Sequence, residues 1–145
     1  MTDTLMGILF TVVAVAMLAG SAWGQPWRFD DVTVVGCYDG DTCTVTLPGV
    51  HPLFGREARV RLLGVDAPEL SGACAVERKL ARRARAVTRG AVLDAERVDV
   101  VDVEQLDVWG RILGRLVADG VDVGRGLVVA GLARVVRGRE QAVWC

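Results

Sequence analysis

The sequence predicts a small domain of the α+β class, mainly β with two helices, in which five short strands form a barrel. Runs of residues that alternate between apolar and polar, as half-buried strands do, are separated by Asp-Gly and other glycine-containing turns. One longer run has apolar residues at the three-to-four-residue period of an amphipathic helix. A length of 145 residues with 52% hydrophobic and 24% charged residues is typical of one globular domain.

The first three strands are expected at 31–38, 41–47 and 59–65. Asp39-Gly40 lies between the first two, and Asp-Gly between two alternating runs is a strong signal for a hairpin. Residues 48–55 contain two prolines and two glycines, which interrupt strand pairing, so we expect a loop there.

The longest helical pattern runs from Ala75 to Thr88, and Gly90 follows near its end. Basic residues occupy one side of this helix, and a run of acidic residues follows it. The formal net charge of the chain is −1, which gives no overall attraction to nucleic acid, so any basic surface must be local. The predicted apolar face of the helix consists of Val76, Leu80, Ala84 and Val87.

The C-terminal part is expected to contain two further strands, at 97–103 and 112–117, with a turn near Gly110 between them. A short helix at 123–130 is closed by Gly131, because glycine commonly ends a helix. Five strands with a helix inserted after the third fit a small barrel of the oligonucleotide-binding (OB) type.

The N-terminus has the features of an export signal. No charged residue occurs between Asp3 and Arg28, and the first part of this gap is a continuous apolar run followed by small residues. We expect residues 1–24 to be the signal peptide of an exported (secreted or periplasmic) protein, and 25–145 to be its OB-fold domain. The alternative is that residues 5–24 anchor the protein to the membrane, since the run approaches the roughly 20 residues of a membrane helix.

Four carboxylates occur in two short segments. Asp39 and Asp41 lie in the predicted hairpin turn, and Asp66 and Glu69 follow the third strand, where Pro68 stiffens the chain. Oxygen ligands grouped in this way suit a hard cation such as Ca²⁺ or Mg²⁺. Taken singly, each pattern is also a common turn or strand end, so neither establishes a site alone.

Two arginines accompany these carboxylates. Arg61 lies in an apolar strand, on the face that it is expected to share with Leu63 and Val65. It needs an anionic partner there, because a buried unpaired charge is costly. Arg111 directly follows Gly110 at a turn, from which a guanidinium can reach a pocket. Two arginines facing a cation held by carboxylates form a clamp for phosphate, and a structural ion pair is the alternative for each.

Four blocks together resemble the staphylococcal (micrococcal) nuclease, or thermonuclease, family. They follow the family's order and approximate spacing, which is far more specific than any single block. The resemblance runs from about Val34 to Val136, which is most of the predicted mature chain. The blocks are Asp39 to Thr42 (DGDT), Arg61 to Glu69 (RLLGVDAPE), Asp107 to Arg111 (DVWGR) and Leu127 to Ala133 (LVVAGLA).

The resemblance implies a calcium-dependent nuclease that hydrolyses the phosphodiester bonds of DNA, RNA or both. Asp41 and Asp66 correspond to the family's calcium-binding carboxylates. Ala67 corresponds to the residue whose backbone carbonyl binds the ion, and Asp39 to an acidic residue that reaches the ion through water.

The resemblance also implies three catalytic residues. Glu69 corresponds to the carboxylate that positions or deprotonates the attacking water, and Arg61 and Arg111 to the arginines that hold the scissile phosphate. These roles agree with the chemistry, since in-line attack on phosphorus builds charge on oxygens that a cation and two guanidiniums stabilise. The sequence departs from the family's type member at Arg137 and Arg139, where that member carries tyrosines beside the nucleotide.

The four cysteines suggest two disulfides in an exported chain. They contain no Cys-x-x-Cys pair, which disfavours a zinc site. If the hairpin loop has three residues centred on Gly40, then Cys37 and Cys43 lie opposite each other and are expected to pair. Cys74 then pairs with the terminal Cys145, in place of the family's final helix. The alternative is that the two hairpin cysteines are free buried thiols.

The expected substrates are single- or double-stranded DNA and RNA, and no obligate protein partner is expected. We expect the protein to be a monomer that contacts a membrane only if its leader is uncleaved. Two other hypotheses are a non-catalytic nucleic-acid-binding OB-fold module and a membrane-tethered interaction domain. The complete set of chemically important residues disfavours both: Asp41, Arg61, Asp66, Glu69 and Arg111.

Overall fold

A computed structural model describes residues 27–138 and 140–145, so the predicted leader at 1–24 lies outside the described residues. The strands are β1 (Trp27–Phe29), β2 (Thr33–Cys37), β3 (Thr42–Thr46), β4 (Ala58–Leu62), β5 (Val65–Asp66), β6 (Val98–Val103), β7 (Ile112–Ala118), β8 (Val121–Asp122) and β9 (Arg134–Val135). The helices are α1 (Pro52–Gly55), α2 (Ala75–Leu93) and α3 (Val123–Val129). Across this part of the chain, no helix has the length and apolar character needed to cross a membrane.

The main sheet has the strand order β1-β6-β7-β4-β3-β2, with β8 paired to β7. Its ladders are antiparallel except for the parallel pairing of β4 with β7. β1 and β2 occupy opposite ends of this order although only residues 30–32 separate them, and Val32 N–H donates to the Val98 carbonyl at 2.8 Å. The sheet therefore curls back on itself. The predicted α+β, OB-type fold is confirmed, although strand pairing within residues 27–138 does not close a complete barrel.

The core lies inside this curl. Its most deeply buried apolar side chains come from the central strands and from α3, and α2 packs against β2 and α3. Burying a side chain of this size stabilises a protein by about 1.5–3 kcal/mol relative to exposure. The fully buried residues of this core include Val45, Val60, Val100, Leu116 and Leu127.

The third predicted strand is interrupted, so the expectation of one strand over 59–65 is wrong. β4 ends at Leu62, the chain turns at Gly64 with a φ of +73°, and β5 then pairs with β9 instead of the main sheet. Glycine adopts a positive φ without steric penalty, which allows the turn. Arg61 consequently does not share a strand face with Val65; it lies opposite the face on which Leu62 is buried.

Helix α2 is longer than predicted and buries a different face. It continues past Gly90 to Leu93, and Val76 and Val87 of the predicted apolar face are 61% and 46% exposed. Val92, two residues after Gly90, is buried, and burial of its side chain outweighs the roughly 1 kcal/mol by which glycine disfavours a helix. The buried face consists of Glu77, Ala81, Ala84, Thr88 and Val92.

Residues 48–55 are not entirely a loop, because α1 begins at Pro52. Proline suits the first turn of a helix, and the His51 ring nitrogen Nδ1 accepts the Leu53 N–H at 3.2 Å. These two features start a helix in a segment whose prolines and glycines predicted a loop.

Both predicted disulfides are confirmed. Cys37 and Cys43 are opposite each other in the hairpin register and are bonded, so the hypothesis of free thiols is wrong. Cys74, the N-cap residue of α2, is bonded to Cys145. One disulfide thus closes the hairpin, and the other fastens the C-terminus to the start of α2.

Candidate metal and phosphate site

The hairpin tip between β2 and β3 lies inside the molecule. A Cβ atom on Gly40 would lie 2.6 Å from the Cβ of Ala84 on α2 and 2.9 Å from that of Ala67, so only glycine permits this approach. The tip carries two carboxylates inward with it. Asp39 is 6% exposed and Asp41 is 1% exposed, which is unusual for acidic residues in a turn.

Arg61 on β4 lies between two of the carboxylates. Its Nη1 donates to Asp41 Oδ1 at 2.5 Å, and its Nη2 donates to Asp66 Oδ1 at 2.6 Å. The remaining oxygens accept backbone N–H groups, from Ala67 to Asp41 Oδ2 at 2.7 Å and from Ala142 to Asp66 Oδ2 at 3.0 Å. Each oxygen of this pair therefore has a donor, and Ala67 contributes its N–H, not the predicted carbonyl, to these contacts.

Negative charge is in excess around this arginine. Burial, and then the neighbouring carboxylates, raise the pKa of Asp41 to about 6 despite the opposing charge of Arg61. Burial also raises the pKa of Asp39. Burial and the charge of Asp41 raise the pKa of Glu69. Four carboxylates surround one partly buried guanidinium, so a cation at this point would stabilise the ionised forms of Asp39, Asp41 and Glu69.

Glu69 itself is exposed and follows the buried Pro68. Its backbone N–H donates to Glu77 Oε1 at 3.3 Å, while Glu77 Oε2 accepts the Ala73 N–H at 2.9 Å. Glu77, which is mostly buried on α2, thereby fixes the segment that carries Glu69. Sequence reasoning missed Glu77; its signal is an acidic residue three positions after Cys74, the pattern of a helix N-terminal capping box.

Arg111 is positioned by Asp107 across a tight turn. Its Nε donates to Asp107 Oδ2 at 2.7 Å, and its backbone N–H donates to Asp107 Oδ1 at 2.9 Å. Gly110 makes the turn possible with a φ of +72°. Burial acts to raise the pKa of Asp107, but the hydrogen bonds from Arg111 and Trp109 outweigh it and lower that pKa. Sequence reasoning gave Asp107 no separate role.

The three predicted catalytic side chains line one cleft of about 970 Å³. Arg61, Glu69 and Arg111 border it together with Arg59, whose Nη2 donates to the Trp109 carbonyl at 3.0 Å. The predicted metal-binding carboxylates do not border this cleft; they lie buried behind Arg61. The structure thus brings the predicted residues together as two adjacent layers, with Arg61 common to both.

The residues fit a hard divalent cation by their donor chemistry and their excess charge. Carboxylate oxygens are the preferred ligands of Ca²⁺, and Arg61 occupies one oxygen of each of Asp41 and Asp66. Binding of a cation between these two carboxylates therefore requires Arg61 to release at least one of them. A second cluster, formed by Cys74, Glu77 and Cys145, offers no thiolate because the two cysteines are bonded to each other.

The fold and the site together define an OB-type domain with an acidic centre behind an arginine-lined cleft. The family model described as staphylococcal nuclease homologue matches residues 59–143, which is more than half of the chain. The chain therefore belongs to the staphylococcal nuclease family. The match includes Arg61, Asp66, Glu69 and Arg111, whereas Asp41 precedes it and is tied to the site by its contact with Arg61.

Proposed function

We propose that the chain is a calcium-dependent nuclease that hydrolyses phosphodiester bonds of DNA, RNA or both by in-line attack of water. One observation carries this proposal. Arg61, Glu69 and Arg111 line a single cleft whose floor hides buried carboxylates in excess over cations, in a chain of the staphylococcal nuclease family. Buried titratable groups with shifted pKa values at a cleft are typical of active sites.

In this proposal Asp41, Asp66 and the Ala67 carbonyl hold the ion, and Asp39 reaches it through water. Calcium bound there supplies a positive charge that stabilises the phosphate oxygens and acidifies an attacking water. The raised pKa of Asp41 supports this assignment, because burial and the neighbouring carboxylates disfavour its ionised form, which a bound cation would stabilise.

Glu69 accepts the proton of the attacking water in the proposed reaction. Its raised pKa brings it nearer to neutral pH, where a carboxylate is a more effective base. Arg61 and Arg111 donate to the phosphate oxygens, which gain negative charge as water attacks. Asp107 holds Arg111 through Nε, and both terminal nitrogens of Arg111 have no partner among the described residues, so they are free to bind phosphate.

A non-catalytic nucleic-acid-binding module is the second candidate. It is favoured by the contact of Arg61 with Asp41 and Asp66, because this arginine satisfies both carboxylates without an ion. In that case the cleft would bind a phosphate backbone, and no bond would be broken.

We also propose that the domain works outside the cytoplasm, after export by its N-terminal leader. The two disulfides support this proposal, since disulfides persist mainly in oxidising compartments. Mass measurement of the protein recovered from the extracellular or periplasmic fraction distinguishes a cleaved leader from an intact membrane anchor.

The decisive experiment measures cleavage of labelled DNA and RNA by the purified chain in Ca²⁺, in Mg²⁺ and in EGTA. We expect cutting in Ca²⁺, none in EGTA, and a turnover about 10²–10⁴-fold lower for Glu69→Gln, because the base is lost. Glu96→Gln, at an exposed position outside the cleft, is the matched control and should cut normally.

Two outcomes would contradict parts of this proposal. A folded wild-type protein that binds these nucleic acids but cuts them in neither Ca²⁺, Mg²⁺ nor Mn²⁺ is a binding module. Equal turnover of Glu69→Gln and wild type would retain the nuclease but remove Glu69 from its mechanism.

A further inference from the structure

The C-terminal tail, defined as residues 140–145, reaches the centre of the site through its backbone. The Ala142 N–H donates to Asp66 Oδ2 at 3.0 Å, and Arg61 holds the other oxygen of the same carboxylate. Asp66 is 5% exposed, so it is inaccessible to most other donors. A residue 76 positions away in the sequence thus completes the hydrogen bonding of a proposed metal ligand.

Three contacts fix the path of the chain on both sides of Ala142. β9 pairs with β5, where Arg134 is the register partner of Asp66. The Arg134 guanidinium lies 4.7 Å from the ring centroid of Trp144, within the range of a cation–π contact. The final contact is the disulfide from Cys145 to Cys74 at the N-terminus of α2.

We propose that the tail is a positioning element of the metal site, in which the Ala142 N–H orients Asp66 and the Cys74–Cys145 disulfide keeps that N–H in place. The inference rests on the proposed function, because it takes Asp66 to be a ligand. Hydrogen-bond partners of metal ligands fix the ligand's orientation, and their loss typically lowers metal affinity about 10–100-fold. Loss of this one disulfide therefore weakens calcium binding without any change in a ligand.

The test is calorimetric titration of Ca²⁺ into the full chain and its variants. Ala142→Pro removes the N–H and leaves both disulfides intact, and we expect its calcium Kd to rise about tenfold. Val143→Pro is the matched control, because the Val143 N–H has no hydrogen-bond partner among the described residues and its side chain is 75% exposed. Its Kd should stay within about twofold of wild type, since it leaves the contact with Asp66 unchanged.

The disulfide is tested by Cys74→Ser/Cys145→Ser, which should raise the Kd as Ala142→Pro does. Adding Ala142→Pro to that variant should have little further effect, because the two changes remove one interaction. Cys37→Ala/Cys43→Ala removes the hairpin disulfide and leaves the tail fastened, so it is the control for loss of a disulfide as such. Amide hydrogen exchange of Ala142 in the calcium-free proteins should be slow in wild type and fast in Cys74→Ser/Cys145→Ser.

The outcomes separate this inference from the proposed function. Wild-type calcium affinity in Ala142→Pro overturns the inference and leaves the nuclease proposal intact. A folded wild type that binds no calcium overturns both. Fast exchange of the Ala142 amide in the wild-type protein shows that the contact does not form in solution, and it overturns the inference whatever the calcium affinity.

Discussion

Two clusters of carboxylates and arginines in this molecule have opposite electrostatic character. On the exposed side of β6, Arg28 and Arg97 pair with Asp30 and Asp99, two cations with two anions. Burial acts to raise the pKa of Asp99, but hydrogen bonds from Arg97 and from a backbone N–H outweigh it and lower that pKa. The cluster is balanced in charge, and folding favours the ionised form of Asp99.

The buried cluster around Arg61 is unbalanced. Three buried carboxylates and the exposed Glu69 surround one guanidinium, and burial raises the pKa values of Asp39, Asp41 and Glu69. Folding therefore works against ionisation of the groups that the proposed function needs ionised. Such an arrangement persists when binding of a ligand compensates it, and the loss of stability is then a consequence of function.

In this comparison the largest expected effect is that of Arg111→Lys, in the cleft that adjoins the unbalanced cluster. An ammonium group cannot form two parallel hydrogen bonds to phosphate, nor can it keep the Nε contact with Asp107, so kcat should fall about 10²–10³-fold. Arg97→Lys in the balanced cluster should leave kcat unchanged. Steady-state cleavage of a fluorescent oligonucleotide in saturating Ca²⁺ measures both, and near-normal activity of Arg111→Lys would remove the arginine clamp from the mechanism.

Asp41→Asn should separate function from stability. Loss of a charged ligand should raise the calcium Kd by at least about tenfold. In calcium-free solution at pH 7, however, the free energy of unfolding should rise by about 1–2 kcal/mol, because the ionised carboxylate that folding disfavours is gone. Urea unfolding measures this change. A calcium-free Asp41→Asn protein that is less stable than wild type would show that the contact with Arg61 outweighs burial.

The pH dependence of the wild type tests the same imbalance without a mutation. The pKa of Asp41 is about 6 in the folded protein, above its ordinary value near 4, so the folded state binds more protons between these values. The calcium-free protein should therefore lose stability as the pH rises from 4 to 6. Calcium competes with the same proton, so calorimetry should give a Kd about tenfold weaker at pH 5 than at pH 7. A Kd that is equal at both values would mean that Asp41 is ionised throughout.

The sequence predicted those features that depend on local chemistry. Asp39-Gly40 predicted the hairpin, and that register brought Cys37 and Cys43 together because a tight turn determines which residues face each other. The motifs also named Arg61 beside Asp66. These features depend mainly on the spacing of residues within one segment, and the sequence shows that spacing directly.

Features that depend on tertiary contacts were not predictable in the same way. The face that α2 buries is set by the close approach of the hairpin at Gly40, which requires the small side chain of Ala84. The interruption of the third strand at Gly64 allows β5 to pair with β9, which is distant in sequence. The hydrogen bond from Ala142 to Asp66 uses a backbone N–H, which every residue except proline possesses, so no sequence pattern identifies it.

The smallest expected effect belongs to the balanced cluster. The lowered pKa of Asp99 means that its ionised form is favoured by folding, so Asp99→Asn should reduce the free energy of unfolding where Asp41→Asn raises it. The reduction should be less than about 1 kcal/mol, since exposed ion pairs are screened by water and salt. It should be present in full at pH 7, shrink as the pH falls below the ordinary pKa of an aspartate, and disappear only below the lowered pKa of folded Asp99, where both states are protonated. Urea unfolding at two pH values measures the difference. Asp99→Asn should cleave nucleic acid at the wild-type rate. If the two substitutions change the free energy of unfolding in opposite directions, the carboxylates of the balanced cluster stabilise the fold and those around Arg61 destabilise it. Changes in the same direction would contradict that distinction.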